Sequence, residues 1–493
     1  MEHFDRAMEG IGFGKVHVFV IVTLGLIQML TVPETMGMGI VGPASVCDFR
    51  LSQVQLAVLN SAAFMGIICS NYFWGYVTDK RGRRWTLQRT LVLSTLCSLT
   101  SMFMVDFHGF FLMRFLTGVF VAGPGIVAPT YLSEFFPRRL VSTVITHMYM
   151  FTGFAIMYCP LMATLFLKTS LGEMEVPIAG DLVLRSWRLL GCSYVLPGLI
   201  SFVLLLFIPE SPKFYFMMGQ MQKGLGVMQW ISRRNTGRAL TPEQIVWLHH
   251  FRAHCQVKRQ KTDEHLLRSM LNDAMPLFRT PYMATLIGAC CIMFLLGMVA
   301  NGFGIWFTAM RNRYIMRKGN KDHMSFCQVI FVPDIGLVLE PENDVYAICN
   351  DDFKSFYEAV YMGAINVLLY NVCWLLLFKV PQSMILTIFL LGASTCGFIL
   401  IVSMNFWVQL ISYILLLSLP MVVMGLLGSA LLRTIPTYLR AKAMCICLMW
   451  SRVGAIVGAI ATGNFIHVQC EPFILMIAIL PLVAVGISSF LPL

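Results

Sequence analysis

The sequence predicts an all-α membrane protein: twelve transmembrane helices in two pseudo-symmetric bundles of six, with both termini in the cytoplasm. Three observations predict it. About twelve apolar stretches of roughly twenty residues follow one another, the length a hydrocarbon core of about 30 Å demands of a helix. Basic residues gather in alternate connections. A long basic segment between the sixth and seventh stretches divides them six and six.

Composition sets the same class. Hydrophobic residues make up 57% of the 493 and charged residues 12%, against roughly 25% charged in a soluble domain. Little sequence is left for a separate folded enzyme domain. The 34 Met and 37 Phe read as core and lipid-facing filler, rather than as an adaptable binding surface. A net charge of +11 suggests nucleic acid until its placement is considered. The charges follow the positive-inside pattern and no nucleic-acid motif accompanies them. The expected large partner is therefore the lipid bilayer, not nucleic acid. The apolar run from Val16 to Val32 is too long for a signal-peptide core and lacks a small-residue cleavage site. Glu2, Asp5 and Glu9 argue against a mitochondrial presequence, so the first helix is retained.

The first span, 16–38, carries Pro33 and Glu34; the second, 54–76, runs into Gly75-x-x-x-Asp79-x-x-Gly82-Arg83-Arg84. The third and fourth, 87–105 and 109–132, are followed by Glu134-Phe135-Phe136-Pro137-Arg138-Arg139, and Arg114 lies a turn or more into the fourth. The fifth, 141–167, holds His147, and the sixth is 187–208. The second block comprises 283–307, 356–378, 383–403, 406–432, 441–465 and 472–491, with Arg452 near the middle of the eleventh. Connections after even-numbered spans hold Lys80, Arg81, Arg83, Arg84, Arg138, Arg139, Lys379, Arg433, Arg440 and Lys442. The segment from Pro209 to Pro281 carries 11 Lys/Arg and 5 Asp/Glu, which puts it and both termini on the inner side. The loop from Arg311 to Lys354 is a partial exception, with six Lys/Arg on the outer side offset by its acids.

The domains are thus 1–208, a cytoplasmic segment 209–281, and 282–493. Gly224–Ile231 and Thr241–Phe251 have helical apolar spacing, and Thr241-Pro242-Glu243 reads as a helix start. Short helices along the inner face are expected there. The basic stretch from Val257 to Leu267 reads as a solvated face rather than a calmodulin target. Arg433-Thr434-Ile435-Pro436-Thr437-Tyr438 echoes the turn after the fourth span, its proline 299 residues after Pro137. Parallel repeats predict such an echo.

The clamp from Gly75 to Arg84 resembles the signature of the major facilitator superfamily. Further segments resemble its synaptic vesicle glycoprotein 2 and organic-ion transporter branch. They are Gly12-Phe13-Gly14-Lys15, Cys47-Asp48, Tyr131-Leu132-Ser133-Glu134-Phe135, Ser186-Trp187-Arg188 and Pro209-Glu210-Ser211-Pro212-Lys213-Phe214. In the second half, Ile435-Pro436-Thr437, Arg440 and Ser451-Arg452-Val453-Gly454 resemble the organic-ion carriers. There are departures. Thr31 replaces the first of two acids common in helix one, while Glu34 matches the second. The second-half copy of the clamp is absent at Phe378-Lys379-Val380-Pro381, and Arg433 stands where a glutamate is common. The loop after the seventh span is about 45 residues and the chain has no Asn-x-Ser/Thr sequon, so a vesicle or neurotoxin-receptor role is not carried over.

The resemblance implies a gate in which Asp79 contacts the other half, with Gly82 and Arg83 at the turn and Glu134, Arg138 and Arg139 completing a charge network. Arg81, Arg83 and Arg84 serve equally as topology determinants. Arg114 and Arg452 are intramembrane charges, costly unless they face a cavity or a partner. Arg452 matches a cavity-facing arginine of the organic-ion carriers, and its ordinary alternative, like that of Arg114, is a structural pair with an acid such as Glu34. Glu34 could carry a proton or cation, or lie wet at the outer interface. His147 reads as a hydrogen-bonded core histidine before a proton relay. Gln28, Asn301, Trp306 and Tyr361 sit on helices that line the cavity in this fold. Cys47, Cys327, Cys349 and Cys470 allow three complete pairings, of which Cys327–Cys349 is preferred. Cys290-Cys291 and Cys445-x-Cys447 do not make a metal site by spacing alone.

The expected function is a secondary carrier, monomeric, in the plasma membrane or an intracellular vesicle membrane. It would move a small organic solute, an organic ion or carboxylate, by alternating access, with the coupling ion open. No cofactor, metal or enzymatic activity is expected, and the chain carries no nucleotide-binding motif. The rival is a non-transporting receptor or scaffold on a carrier fold.

Overall fold

A computed structural model describes residues 2–49, 51, 53–167, 176–179, 182–255, 275–280, 282–317, 325–331, 355–435, 437–466 and 469–490. Cys349, Pro436 and the whole stretch from Val257 to Leu267 lie outside the described residues, as do the side chains of Cys47, Arg433 and Arg440.

The first half contains α1 (Glu2–Ile11), α2 (Lys15–Thr35), α3 (Met38–Phe49), α4 (Gln53–Arg81), α5 (Arg83–Met102), α6 (Phe107–Ser133), α7 (Arg138–Leu167), α8 (Ser186–Ser193) and α9 (Leu196–Leu205). In the central segment stand α10 (Pro212–Met217), α11 (Met221–Thr236) and α12 (Pro242–Cys255). The second half contains α13 (Tyr282–Gly297), a π turn (Met298–Phe303), α14 (Phe307–Arg317), α15 (Phe326–Phe331), α16 (Phe356–Leu376), α17 (Gln382–Val402), α18 (Phe406–Thr434), α19 (Thr437–Phe465) and α20 (Cys470–Ser488). A two-stranded antiparallel hairpin, β1 (Val176–Ala179) and β2 (Leu182–Leu184), is a small departure from an all-helical chain.

Helix stands at all twelve expected positions. Among the described residues, eleven segments are long and apolar enough to cross a membrane. The third position, α5, falls short of that apolarity for a visible reason. It opens with Arg83, Arg84 and Arg89, and its buried face is rich in hydroxyls: Thr86, Thr90, Ser94, Thr95, Ser98 and Ser101. Thr86 and Thr90 return their hydroxyls to the carbonyls one turn back, at 2.8 Å each, so these polar groups are satisfied inside the helix.

Two spans are broken. The first bends between α2 and α3, two to four residues beyond Pro33, where the N–H groups of Met36 and Gly37 both turn back to Val32. The seventh is interrupted by the π turn, where it meets α19 backbone to backbone. A methyl group on Gly302 would come within 2.7 Å of Ala455 O, and one on Gly458 within 2.6 Å of Met298 O. Only small residues permit that approach between membrane helices. The seam fixes Asn301 and Arg452 in register with one another.

The halves meet along two pairs of helices. Asn71 on α4 donates to Cys445 O on α19 at 3.0 Å. On the other side α7 packs against α16, with Gly153 and Gly363 letting the backbones touch. Below the first half lie α1 and the central helices. Thr241 and Gln244 form a reciprocal cap at the start of α12: the Thr241 N–H donates to Gln244 Oε1 at 2.9 Å and the Gln244 N–H to Thr241 Oγ1 at 3.4 Å. Asn235 ties α11 to the start of α2, accepting from the Val16 N–H at 3.0 Å.

Cys327 pairs with Cys470, not with Cys349. Folding brings α15 to the start of α20, with the two Cα atoms 5.6 Å apart. Proximity in sequence favoured Cys349; the helix ends decide otherwise. Peptide mapping without reductant is expected to recover the Cys327–Cys470 pair. Cys327→Ser and Cys470→Ser should each lower stability by about 2–4 kcal/mol, and the double change no further. Recovery of a Cys327–Cys349 peptide would refute this pairing.

Candidate functional site

Two constellations carry the chemistry: a cavity between the halves and a charge cluster at the turn between α4 and α5.

The cavity is lined from the first half by Gln28, Thr31, Asn71, Tyr149 and Thr152, and from the second by Asn301, Tyr370, Ser451 and Arg452. Met36, Met421 and Met424 supply its apolar walls. Arg452 is half-buried, its guanidinium 5.4 Å from the centre of the Phe64 ring. No carboxylate pairs with it among the described residues. A cation held over an aromatic face in a water-poor cleft is only partly compensated. It leaves the planar donors of the guanidinium facing the cavity.

Arg114 behaves differently. It is 1% exposed and donates to Glu34 at 3.0 Å; Glu34, also 1% exposed, takes a further hydrogen bond from Ser98 at 2.8 Å. The two arginines thus divide between the alternatives. Arg114 has Glu34 as its buried partner, and neither group lines the cavity. Glu34 is not wet: it is enclosed with Ser98 of α5 and Arg114 of α6.

Of the other expected lining residues, Gln28 and Asn301 reach the cavity. Trp306 does not line it; its indole turns to α19 and donates to Ala459 O at 3.0 Å. Tyr361 is 51% exposed on the outside of α16. Asn301 and Trp306 are five residues apart, about 140° around a regular helix, so one face does not hold both. His147 stacks at a tilt on Trp374, ring centres 5.5 Å apart, and its Nδ1 has no hydrogen-bond partner among the described residues. The hydrogen bond expected of a core histidine is therefore not made at Nδ1 among the described residues.

At the turn, Arg83 gathers the cluster. Its guanidinium donates to Glu134 Oε1 and Asp79 Oδ1, both at 3.0 Å, and to Thr78 O at 3.2 Å. Lys442, on the other half, lies near enough for its charge to act on the Asp79 carboxylate. Arg138 and Arg139 stand apart from this cluster. The Arg138 N–H donates to Asp5 of α1 at 3.2 Å, and Arg139 lies on the surface near Glu9.

Glu210 completes the turn and was not singled out by sequence. It accepts from the backbone N–H of Arg83 at 3.0 Å, of Arg84 at 3.0 Å and of Ser211 at 2.9 Å. It therefore caps the N-terminus of α5, where donors would otherwise be orphaned. Burial pushes the Glu210 carboxyl above the ordinary carboxylate range, opposed by the N–H donors of Ser211 and Arg84 and by the Arg83 charge. Its signal was in hand: Pro209-Glu210-Ser211 was one of the segments carrying the family resemblance.

Gly82 is required twice over. Its φ is +105°, and an added Cβ would collide with the Glu210 carboxylate. Gly82→Ala is expected to cost about 1–3 kcal/mol, read as a lower unfolding midpoint in detergent. Gly226→Ala, in α11 with open space around it, should be neutral or slightly stabilising. Equal midpoints for the two variants would count against the strained turn.

Two further clusters were missed. Asp48 accepts from Arg185 and from the Trp187 indole, the latter at 3.1 Å, while Arg188 donates to the carbonyls of Met102 and Met104 at 2.6 and 2.8 Å, closing the end of α5. Asp48, Trp187 and Arg188 also lie in resemblance-bearing segments. Arg311, fully buried, donates to Glu358 at 2.8 Å. One of the six outer basic residues is thus a buried partner of α16 rather than a topology charge.

The arrangement agrees with known proteins. The family described as "Sugar (and other) transporter" matches residues 41–245. Organic cation/carnitine transporter 7 of Arabidopsis thaliana is 28% identical over 47% of this chain and 43% of its own. Synaptic vesicle 2-related protein of Xenopus laevis is 28% identical over 47% of this chain and 39% of its own. The aligned region therefore spans less than half the length of either relative. The solved structure of the proton:xylose symporter XylE, a major facilitator superfamily protein, superposes with a TM-score of 0.68 over 97% of this chain and 96% of that one, at 16% identity. The fold is the major facilitator fold, and the chain resembles its synaptic vesicle 2-like and organic-ion relatives.

Proposed function

We propose that the protein is a secondary carrier for a small organic anion, binding it between the halves and exposing it to each side in turn. The observation that carries this reading is Arg452: a guanidinium on the wall of the central cavity, without a carboxylate partner among the described residues. A carboxylate-bearing solute supplies the missing charge and can accept two parallel hydrogen bonds from the fork. One relative is named an organic cation/carnitine transporter, which supports a small organic solute as cargo.

The cluster of Asp79, Arg83, Glu134 and Lys442 is the inner latch. Its bonds within the first half hold the turn rigid; the attraction to Lys442 crosses to the second half and is lost when the halves rock apart. The second half carries no copy of the clamp at Phe378-Lys379-Val380-Pro381. Gating is therefore asymmetric, with the latch of the first half acting against α19. The termini and the central helices lie on the latch side, toward the cytoplasm.

Uptake of labelled organic anions into proteoliposomes tests the reading. Saturable flux that both Arg452→Ala and Asp79→Asn impair supports it. Absence of flux over a broad panel, from protein with an unchanged unfolding midpoint, would overturn it in favour of a receptor on a carrier fold.

A further inference from the structure

Two polar atoms in the cavity lack partners, and they lie on the first half, across from Arg452. Gln28 is 8% exposed and lines the cavity, and its Oε1 has no hydrogen-bond partner among the described residues. The orientation of its amide follows from its neighbour. The Thr31 hydroxyl donates to the Gln28 backbone carbonyl at 2.8 Å, so that hydroxyl has only lone pairs left for the side chain. The Gln28 NH₂ takes that place, at 3.4 Å. The amide oxygen is left turned away from Thr31 and in need of a donor.

Thr152, on α7, gives the second observation. It too is 8% exposed and lines the cavity, and its hydroxyl is unpartnered among the described residues. Thr35, Thr130 and Thr146 all return their hydroxyls to the carbonyl four residues back, at 2.7, 3.1 and 2.8 Å. Thr152 withholds its hydroxyl from its own helix. A buried polar group without a partner is costly, so two on one wall of one cavity mark a site that a ligand completes.

We infer that the solute is a hydroxylated organic anion, its carboxylate on Arg452 of one half and its hydroxyl on Gln28 and Thr152 of the other. The hydroxyl donates to Gln28 Oε1 and accepts from, or donates to, the Thr152 hydroxyl. This inference rests on the anion reading of the cavity and narrows it. It also gives the solute a mechanical role. A molecule held by its carboxylate on the second half and its hydroxyl on the first ties the halves together at the centre, so only a solute with both groups stabilises the closed arrangement. A site built around a buried acceptor discriminates against a ligand lacking the donor, because that acceptor is then left unpaired.

The test uses matched acids that differ by one hydroxyl: mandelate against phenylacetate, and 3-hydroxybutyrate against butyrate. Binding is measured calorimetrically on the purified full-length protein in detergent. In the wild type, the hydroxylated member of at least one pair should bind on the order of 10-fold more tightly. Gln28→Leu should bring the two members of that pair to within about twofold of each other. Thr152→Val, which replaces a hydroxyl by a methyl of the same size, should shrink the preference as well and provides the reading if Gln28→Leu does not fold. Arg452→Gln should weaken both members alike. Equal wild-type affinities within both pairs, still dependent on Arg452, would overturn the hydroxyl contact and leave the anion site standing. Binding that is absent, or indifferent to Arg452, would overturn both.

Discussion

Arg452→Ala is expected to lower organic-anion uptake on the order of 100-fold, with little change in unfolding midpoint. The magnitude follows from what the side chain does. Removing one partner of a desolvated, hydrogen-bonded charge pair costs roughly 2–5 kcal/mol, and about 1.4 kcal/mol is tenfold in affinity. The loss falls on the bound complex and not on the empty protein, because no carboxylate of the fold depends on Arg452 among the described residues. Its contact with Phe64 is worth far less. Arg452→Lys separates charge from geometry: it keeps the cation but not the planar fork. If the solute's carboxylate is gripped through two parallel bonds, lysine restores only part of the flux. Proteoliposome uptake at several solute concentrations reads both variants. Wild-type flux in Arg452→Ala would remove this residue from the site.

What made Arg452 visible in sequence was its place in the middle of an apolar stretch, where an unpaired charge has to be explained. The same logic exposed Arg114, but sequence could not say which of the two arginines had an acid to itself. That depended on Glu34 being enclosed with Ser98 of α5 and Arg114 of α6, a tertiary outcome. The turn at Asp79, Gly82, Arg83 and Glu134 was legible because tight turns impose residue types locally. Glu210 caps a helix 126 residues away and leaves no local pattern; only the resemblance of Pro209-Glu210-Ser211 pointed to it. Facing defeated the reading of Trp306 and Tyr361. Trp306 is five residues from Asn301, about 140° around a regular helix, so the two do not share a face, and Tyr361 turns to the outside of α16. The disulfide failed for a related reason. Cys327 and Cys470 are 143 residues apart in sequence, and only the packing of α15 on α20 brings them together.

Glu34→Ala is expected to be among the most destabilising single changes in the chain, about 3–5 kcal/mol. The argument concerns what remains. Both partners are 1% exposed, and the Glu34 carboxylate receives donors from Arg114 on α6 and Ser98 on α5. Taking the acid away strands a guanidinium in the apolar interior of the first bundle, where its neighbours include the Phe110 ring and the Met102 sulfur. An uncompensated buried charge costs more than the pair itself contributes, since the pair's attraction largely offsets its own desolvation. A second variant makes the prediction discriminating. Glu34→Leu combined with Arg114→Met fills similar volume without either charge, and should recover most of the midpoint lost by Glu34→Ala. If Glu34 were instead an independent proton or cation site, removing Arg114 as well would give no recovery, and Glu34→Gln would leave stability near wild type while altering the pH dependence of uptake. Unfolding midpoints in detergent for the single and double variants, with uptake followed across pH for Glu34→Gln, therefore decide between an architectural pair and a coupling group. Recovery in the double variant is the expected result, because Glu34 and Arg114 face each other within one half and away from the cavity that the solute would cross.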